Sequence, residues 1–139
     1  MERLTAIADT GFVVALLNGQ DQNHAAVAHT YQQHPKIALP QPALTEIAYL
    51  LGRDAGIPLV VQFLRSLPQG RFQIVTLTPA DSQRIADILE TYQDSKIDFV
   101  DACVMAIAER LKLQTVLTLD RRDFTIFRPR HCTAFNLLP

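Results

Sequence analysis

Short apolar runs alternate with stretches of helical spacing along this chain, and that alternation limits the fold more than any other feature. The runs at residues 4–8, 36–39, 72–77, 115–119 and 133–138 have the length of strands. Between them, apolar residues recur three and four positions apart, as in Leu44, Ile47, Ala48 and Leu51 or in Ile85, Ile88, Leu89 and Tyr92. Strands separated by helices pair through crossovers, which give parallel sheets covered on both faces. The expected class is therefore α/β: a three-layer sandwich whose central, mainly parallel sheet has four to five strands between helices.

Turn chemistry sets the expected boundaries. Asn18-Gly19 ends a short helix over 12–17, and an Ala-rich helix follows around 21–34. Gly56-Ile57-Pro58 separates a helix over 43–55 from one over 59–67. Thr78-Pro79-Ala80-Asp81 has the form of an N-cap, a proline at the first helical position and an acid three residues after the cap. The most apolar helix is expected over 99–113, with a short helix or turn over 120–127.

At 139 residues the chain has the size of one domain, 1–139, and shows neither an internal repeat nor a linker. Its 48% hydrophobic and 19% charged residues exclude a disordered tail. Two cysteines, Cys103 and Cys132, are too few and too far apart for a disulfide scaffold or a thiolate zinc site. No secretory signal or run of roughly 18 apolar residues is visible, so a soluble, cytoplasmic protein without membrane association is expected. The net charge of −1 argues at first against a nucleic-acid binder. If four acids surround one cation, however, the remaining charge turns positive. Arg121, Arg122, Arg128 and Arg130 also follow closely on one of those acids.

Those four acids stand apart from the rest. Asp9 ends the first strand, Glu46 lies early in the helix after the second, Asp101 opens the apolar helix and Asp120 ends the fourth strand. In a parallel sheet, the C-terminal ends of strands and the N-terminal ends of the following helices share one edge, where such folds bind their ligands. Each acid taken alone has an ordinary explanation. Asp9 and Asp120 fit helix caps, Asp98 and Asp101 fit a cap and a dipole-favoured acid, and Glu46 fits an exposed position.

Together the ordinary explanations weaken. Asp101 sits in Phe-Val-Asp-Ala-Cys-Val-Met-Ala-Ile-Ala with no other charge, where a bare carboxylate costs several kcal/mol. A divalent cation relieves both that cost and the mutual repulsion of the acids. An all-oxygen ligand set points to Mg²⁺ or Mn²⁺, the usual equipment of phosphodiester chemistry. Thr10 and Thr118 flank the acids and suit orientation of a carboxylate or phosphate oxygen, or simply a turn and a buried strand.

The motifs Ile7-Ala8-Asp9-Thr10-Gly11, Thr45-Glu46-Ile47, Asp101-Ala102-Cys103-Val104-Met105-Ala106 and Thr118-Leu119-Asp120-Arg121-Arg122-Asp123-Phe124 resemble those of PIN-domain nucleases. The order and spacing are most similar to the VapC-type ribonuclease toxins of toxin–antitoxin pairs. The resemblance implies a PIN-like sandwich and metal-dependent hydrolysis of single-stranded RNA, leaving a 5′-phosphate and a 3′-hydroxyl. Carried over by residue, it makes Asp9, Glu46, Asp101 and Asp120 the catalytic and metal-binding acids, and Thr10 and Thr118 the supporting hydroxyls. Asp98 is a further metal-ligand candidate, and Asp123 stands as either an extra acid or a brace for its turn. The resemblance also implies a homodimer and a small antitoxin partner, received on the apolar helices between Ala43 and Leu67.

Other groupings carry less. His24, His29 and His34 are spread around a helix and form no metal face, and the glycines match no phosphate-binding loop. The four arginines are expected to hold RNA phosphates or to form a solvated rim. Two competing readings remain at the level of sequence. One is a different metal-dependent phosphoesterase or phosphoryl-accepting enzyme. The other is a PIN-fold module that binds RNA or protein without catalysis.

Overall fold

Among the described residues every strand pairing is parallel, and the five strands lie in the order β3-β2-β1-β4-β5. The structure, a computed structural model, describes residues 3–139. Along the chain come β1 (Ala6–Ala8), α1 (Thr10–Leu17), α2 (His24–Gln32), β2 (Ile37–Pro40), α3 (Ala43–Ala55) and α4 (Ile57–Ser66). Then follow β3 (Phe72–Val75), α5 (Pro79–Thr91), α6 (Phe99–Leu111), β4 (Thr115–Leu117), α7 (Arg121–Ile126) and β5 (Asn136–Leu138). Single 3₁₀ turns occupy Leu67–Gln69 and Gln93–Ser95.

Side-chain alternation along the strands splits the core in two. Ala6, Ala8, Ile37, Leu39 and Leu117 face α1, α3 and α4, where Phe12, Ile47, Leu51 and Phe63 pack. Ile7, Ala38 and Val116 face the other way, onto α5 and α6 and the aromatic residues Phe124, Phe127 and Phe135. Helices therefore cover both faces, and the expected three-layer α/β sandwich is observed with five strands. The continuous burial of Asp101–Ala108 follows, because α6 lies between the sheet, α5 and this aromatic cluster. Removing each large apolar side chain of such a helix from water contributes about 1.5–3 kcal/mol.

Most elements fall where the sequence pattern puts them, with ends trimmed for local reasons. The first helix starts at Thr10, not at 12, because Asp9 itself is its cap. Helix α4 starts at Ile57, two residues earlier than expected, since Pro58 in a first turn lacks only an N–H that would be unpaired anyway. The break before it is Gly56 alone, at φ 98, a backbone region that other residues rarely adopt. Helix α6 stops at Leu111 because Lys112 turns left-handed at φ 56. The capping box of Thr78 and Asp81 is present as the sequence suggests.

Strand β1 is hydrogen-bonded to β2 on one side and to β4 on the other. The chain leaves β1 toward β2 and returns on the opposite side as β4, so the order reverses between β1 and β4. A crevice opens beyond the carboxyl ends of strands at such a reversal.

Candidate active site

Three of the helices that begin at that crevice are capped by an aspartate. Asp9 caps α1, its Oδ1 accepting from the Thr10 backbone N–H at 2.8 Å. Asp98 caps α6 in a reciprocal box: the Asp101 N–H donates to Asp98 Oδ1 at 2.8 Å, and the Asp98 N–H donates to Asp101 Oδ2 at 3.4 Å. Asp120 caps α7, accepting from the Asp123 N–H at 3.3 Å. The ordinary explanations of these acids as caps are thus observed. They do not compete with a shared site, because the capped helix ends all point into one cleft of about 390 Å³.

Asp9, Thr10, Glu46, Asp98, Asp101, Asp120 and Asp123 line that cleft. Oxygens of Asp101, Asp120 and Asp123 lie within 4.8 Å of one another. Asp9 is fixed from the neighbouring strand by the Thr118 hydroxyl, which donates to its Oδ2 at 3.2 Å. The same hydroxyl oxygen accepts from the Asp120 N–H at 2.9 Å, so one buried threonine orients two of the acids. Glu46 stands on the first turn of α3, half-buried in the cleft wall.

The electrostatics are unfavourable without a cation. Burial pushes the Asp9 carboxyl up to about 6, and the charges of Asp98 and Glu46 add to the rise against the lowering bonds from Thr10 and Thr118. Burial, then the charges of Asp9 and Asp98, push Asp101 up to about 8. Asp123 is raised by burial and by the Asp120 charge. Nearby positive charge reverses each of these shifts. The hydroxyl of Thr10, buried and lining the cleft, has no hydrogen-bond partner in the protein. Buried polar atoms are rarely left so, and an orphan beside convergent carboxylates marks a place for a ligand oxygen. Oxygen-only donors, mutual repulsion and the orphaned hydroxyl all fit a hard divalent ion.

The structure brings together Asp9, Glu46, Asp98, Asp101 and Asp120, together with Thr10 and, behind Asp9, Thr118. Asp123, weighed in the sequence between an extra acid and a brace, lies in the tightest group of oxygens. Lys96 also lines the cleft and has no sequence signal of its own. Its position follows from a left-handed turn, φ 62, between the 3₁₀ turn and α6.

The four arginines separate. Arg122 is exposed and pairs with Asp123 at 3.1 Å. Arg121 donates to the carbonyls of Leu137 and Pro139, tying α7 to β5. Arg128 donates to the carbonyl of Thr125. Arg130 does not reach the cleft: its N–H donates to Glu109 at the opposite end of α6, beside Arg84 and His131. Sequence proximity to Asp120 misleads here because the chain beyond α7 runs away along α6. His24, His29 and His34 bond to Ala15, Gln33 and Thr5 respectively, far from forming one face.

Known proteins share this architecture. A family model described as PIN domain matches residues 6–127. Ribonuclease VapC26 of Mycobacterium tuberculosis is 30% identical over 134 residues, which are 96% of this chain and 99% of that protein. Among solved structures, VapC20 of Mycobacterium tuberculosis, described as a sarcin–ricin loop cleaving toxin, has a TM-score of 0.75 at 21% identity, covering 81% of this chain and 87% of that one. VapBC2 from Rickettsia felis, bound to a DNA fragment from its promoter, has a TM-score of 0.68 at 13% identity, covering 98% of this chain and 100% of that one. At these identities the two structures speak for the fold. Among the described residues, no helix is long and apolar enough to cross a membrane.

Proposed function

The chain belongs to the PIN-domain family, in its VapC-type ribonuclease branch, and from that premise we propose that residues 1–139 form one cytoplasmic nuclease domain that hydrolyses single-stranded RNA. It acts as the toxin of a toxin–antitoxin pair. The main support is the cleft at the strand reversal, where three carboxylates converge within 4.8 Å beside an orphaned hydroxyl.

Asp101, Asp120 and Asp123 hold the cation, with Asp9 and Glu46 completing the acidic wall. Mg²⁺ or Mn²⁺ bound there would supply neutralising charge for the phosphate and would lower the pKa of a water that attacks it. The protein's own part is orientation. Thr118 fixes Asp9 and the backbone of Asp120, and the free Thr10 hydroxyl is placed to donate to a phosphate oxygen. Burial and the neighbouring carboxylates favour the protonated form of Asp101, and a bound cation would relieve the same repulsion. Asp98 serves α6 as its cap more than it serves the cation. Lys96 and Arg122 offer positive charge at the rim for flanking phosphates.

A homodimer and a small antitoxin account for the apolar surface on α4, where Ile57 and Leu64 stand 65% and 47% exposed. Expression of the parent and of Asp101→Asn in a bacterial host, followed by sequencing of new 5′-monophosphate RNA ends, tests the reading. Ends made by the parent and absent with the variant are expected. Equal ends from both proteins would remove the assigned centre.

A further inference from the structure

Beside the acidic cleft runs a second depression of about 550 Å³, lined by Pro42, Thr45, Glu46, Tyr49, Phe99 and Val100. Glu46 lines both, so the two depressions adjoin across this one side chain. Phe99 is the first residue of α6, directly after Asp98 at the cleft rim, and is 50% exposed. Tyr49, one turn along α3 from Glu46, is 67% exposed. Aromatic rings left this open carry an unfavourable hydration cost that the fold itself does not require, since both helices are already anchored by buried residues such as Ile47, Leu51 and Ala102.

The charge pattern narrows what these rings serve. Five aspartates and a glutamate line the acidic cleft, so it repels an RNA backbone except at Lys96 and at a bound cation. Cationic help is scarce. Arg121 and Arg128 bond to the protein's own carbonyls and Arg130 lies at the far end of α6, which leaves Lys96 in the cleft, Arg122 paired with Asp123 at its rim, and Arg53, whose guanidinium stands 5.9 Å from the Tyr49 ring centroid beside the trough. With so few cations facing six carboxyl groups, affinity for a single strand gains most from a contact that does not depend on phosphate charge, and stacking of bases on aromatic side chains is such a contact.

We propose that the Tyr49–Phe99 trough is a nucleobase subsite, in which an unpaired base next to the scissile phosphate stacks on these two rings while that phosphate lies in the acidic cleft. The subsite rests on the ribonuclease reading above and adds to its single-stranded substrate a splayed-out base beside the scissile phosphate. The exposed Thr45 side chain at the trough wall is placed to bond a base edge and so to favour some bases over others.

The test uses a single-stranded RNA oligonucleotide spanning a site that the parent cleaves, and the same oligonucleotide with an abasic residue beside that site. Dissociation constants are measured with the Asp9→Asn protein, and KM and kcat with Asp9 intact. Phe99→Ala, Tyr49→Ala and the shape-keeping Phe99→Leu are each expected to weaken binding about 5- to 100-fold. KM should rise by a similar factor with little change in kcat, while Phe99→Trp restores affinity. The abasic substitution should weaken the parent equally and add little in Phe99→Ala, because both remove one contact. Unchanged affinity in Phe99→Ala and Phe99→Leu, or an abasic effect undiminished by Phe99→Ala, would overturn the subsite. So would a change in oligomeric mass on Phe99→Ala without any effect on RNA, which would make the trough a contact between copies. If the parent cleaves RNA and Asp9→Asn does not, such results defeat the subsite alone. If the parent cleaves none, the ribonuclease reading falls and the subsite falls with it.

Discussion

Thr118 Oγ1 reaches Asp9 Oδ2 at 3.2 Å, although the two residues are 109 positions apart in sequence. They directly follow the adjacent strands β1 and β4, where the sheet order reverses. The hydroxyl donates to Asp9 and accepts from the Asp120 N–H, so one side chain sets the geometry of two acids from different segments.

Thr118→Val keeps the shape of this side chain and removes both bonds. Groups that orient metal ligands typically contribute about 10–100-fold to metal affinity or activity. A loss of that size is expected in divalent-ion titration and in RNA cleavage, with Thr118→Ser retaining most of both. Parent-like metal affinity in Thr118→Val would show that Asp9 needs no such support.

The cleft acids make a specific prediction about stability and pH. The carboxyl pKa of Asp9 is raised to about 6 and that of Asp101 to about 8 from an ordinary 3.8, so the folded protein binds these protons more tightly than the unfolded chain. Their contribution to folding is therefore complete below about pH 3.8 and is lost as pH rises through 6 and then 8. The metal-free protein should lose Tm between pH 5 and pH 8.5. Asp101→Asn should remove much of that slope and raise Tm at pH 8.5 by several degrees, on the order of 2 kcal/mol. Addition of Mg²⁺ should raise the parent's Tm more at pH 8.5 than at pH 5, where protons compete. A metal-free Tm that climbs from pH 5 to 8.5 would contradict this picture.

Charge at the rim is testable through salt. Each lysine or arginine that neutralises an RNA phosphate steepens the fall of log affinity with log salt by about 0.7. Lys96→Ala and Arg122→Ala should each flatten that dependence by about this amount. Arg130→Ala should leave it unchanged, since Arg130 stands beside Glu109 at the other end of α6.

At that far end, Glu109 accepts from Arg84 at 2.7 and 3.0 Å and from the Arg130 N–H at 2.8 Å, joining α5, α6 and the last loop. Burial raises the Glu109 pKa, but the Arg84 bonds and the Arg130 N–H together bring it below the ordinary range. Glu109→Ala leaves a half-buried guanidinium without its partner and should cost about 2 kcal/mol in urea unfolding. Cleavage per folded molecule should stay at the parent level.

What the sequence reveals about this site follows from how local each signal is. Asp9, Asp98, Asp101 and Asp120 are legible because each follows or opens a recognisable strand or helix, and parallel topology then collects them on one edge. Asp101 is clearest, since its apolar surroundings make an uncompensated charge costly. Lys96 is not legible, because its place in the cleft depends on a left-handed turn that many residue types could occupy. Arg130 misleads for the opposite reason: nearness to Asp120 in sequence says nothing about the direction of an irregular segment. Strand ends differ by two or three residues where side chains such as Thr118 take over from the backbone ladder, a change that periodicity does not register.

The central claim is that the convergent carboxylates form a metal-dependent centre for RNA hydrolysis. The most direct measurement incubates the purified parent and Asp9→Asn with total single-stranded RNA, with Mg²⁺ or with a chelator, and sequences every new 5′-monophosphate end. The parent should produce a defined set of ends with Mg²⁺, and none should appear with the chelator or with the variant. Ends that persist in the chelator, or that Asp9→Asn makes as readily as the parent, would contradict the account.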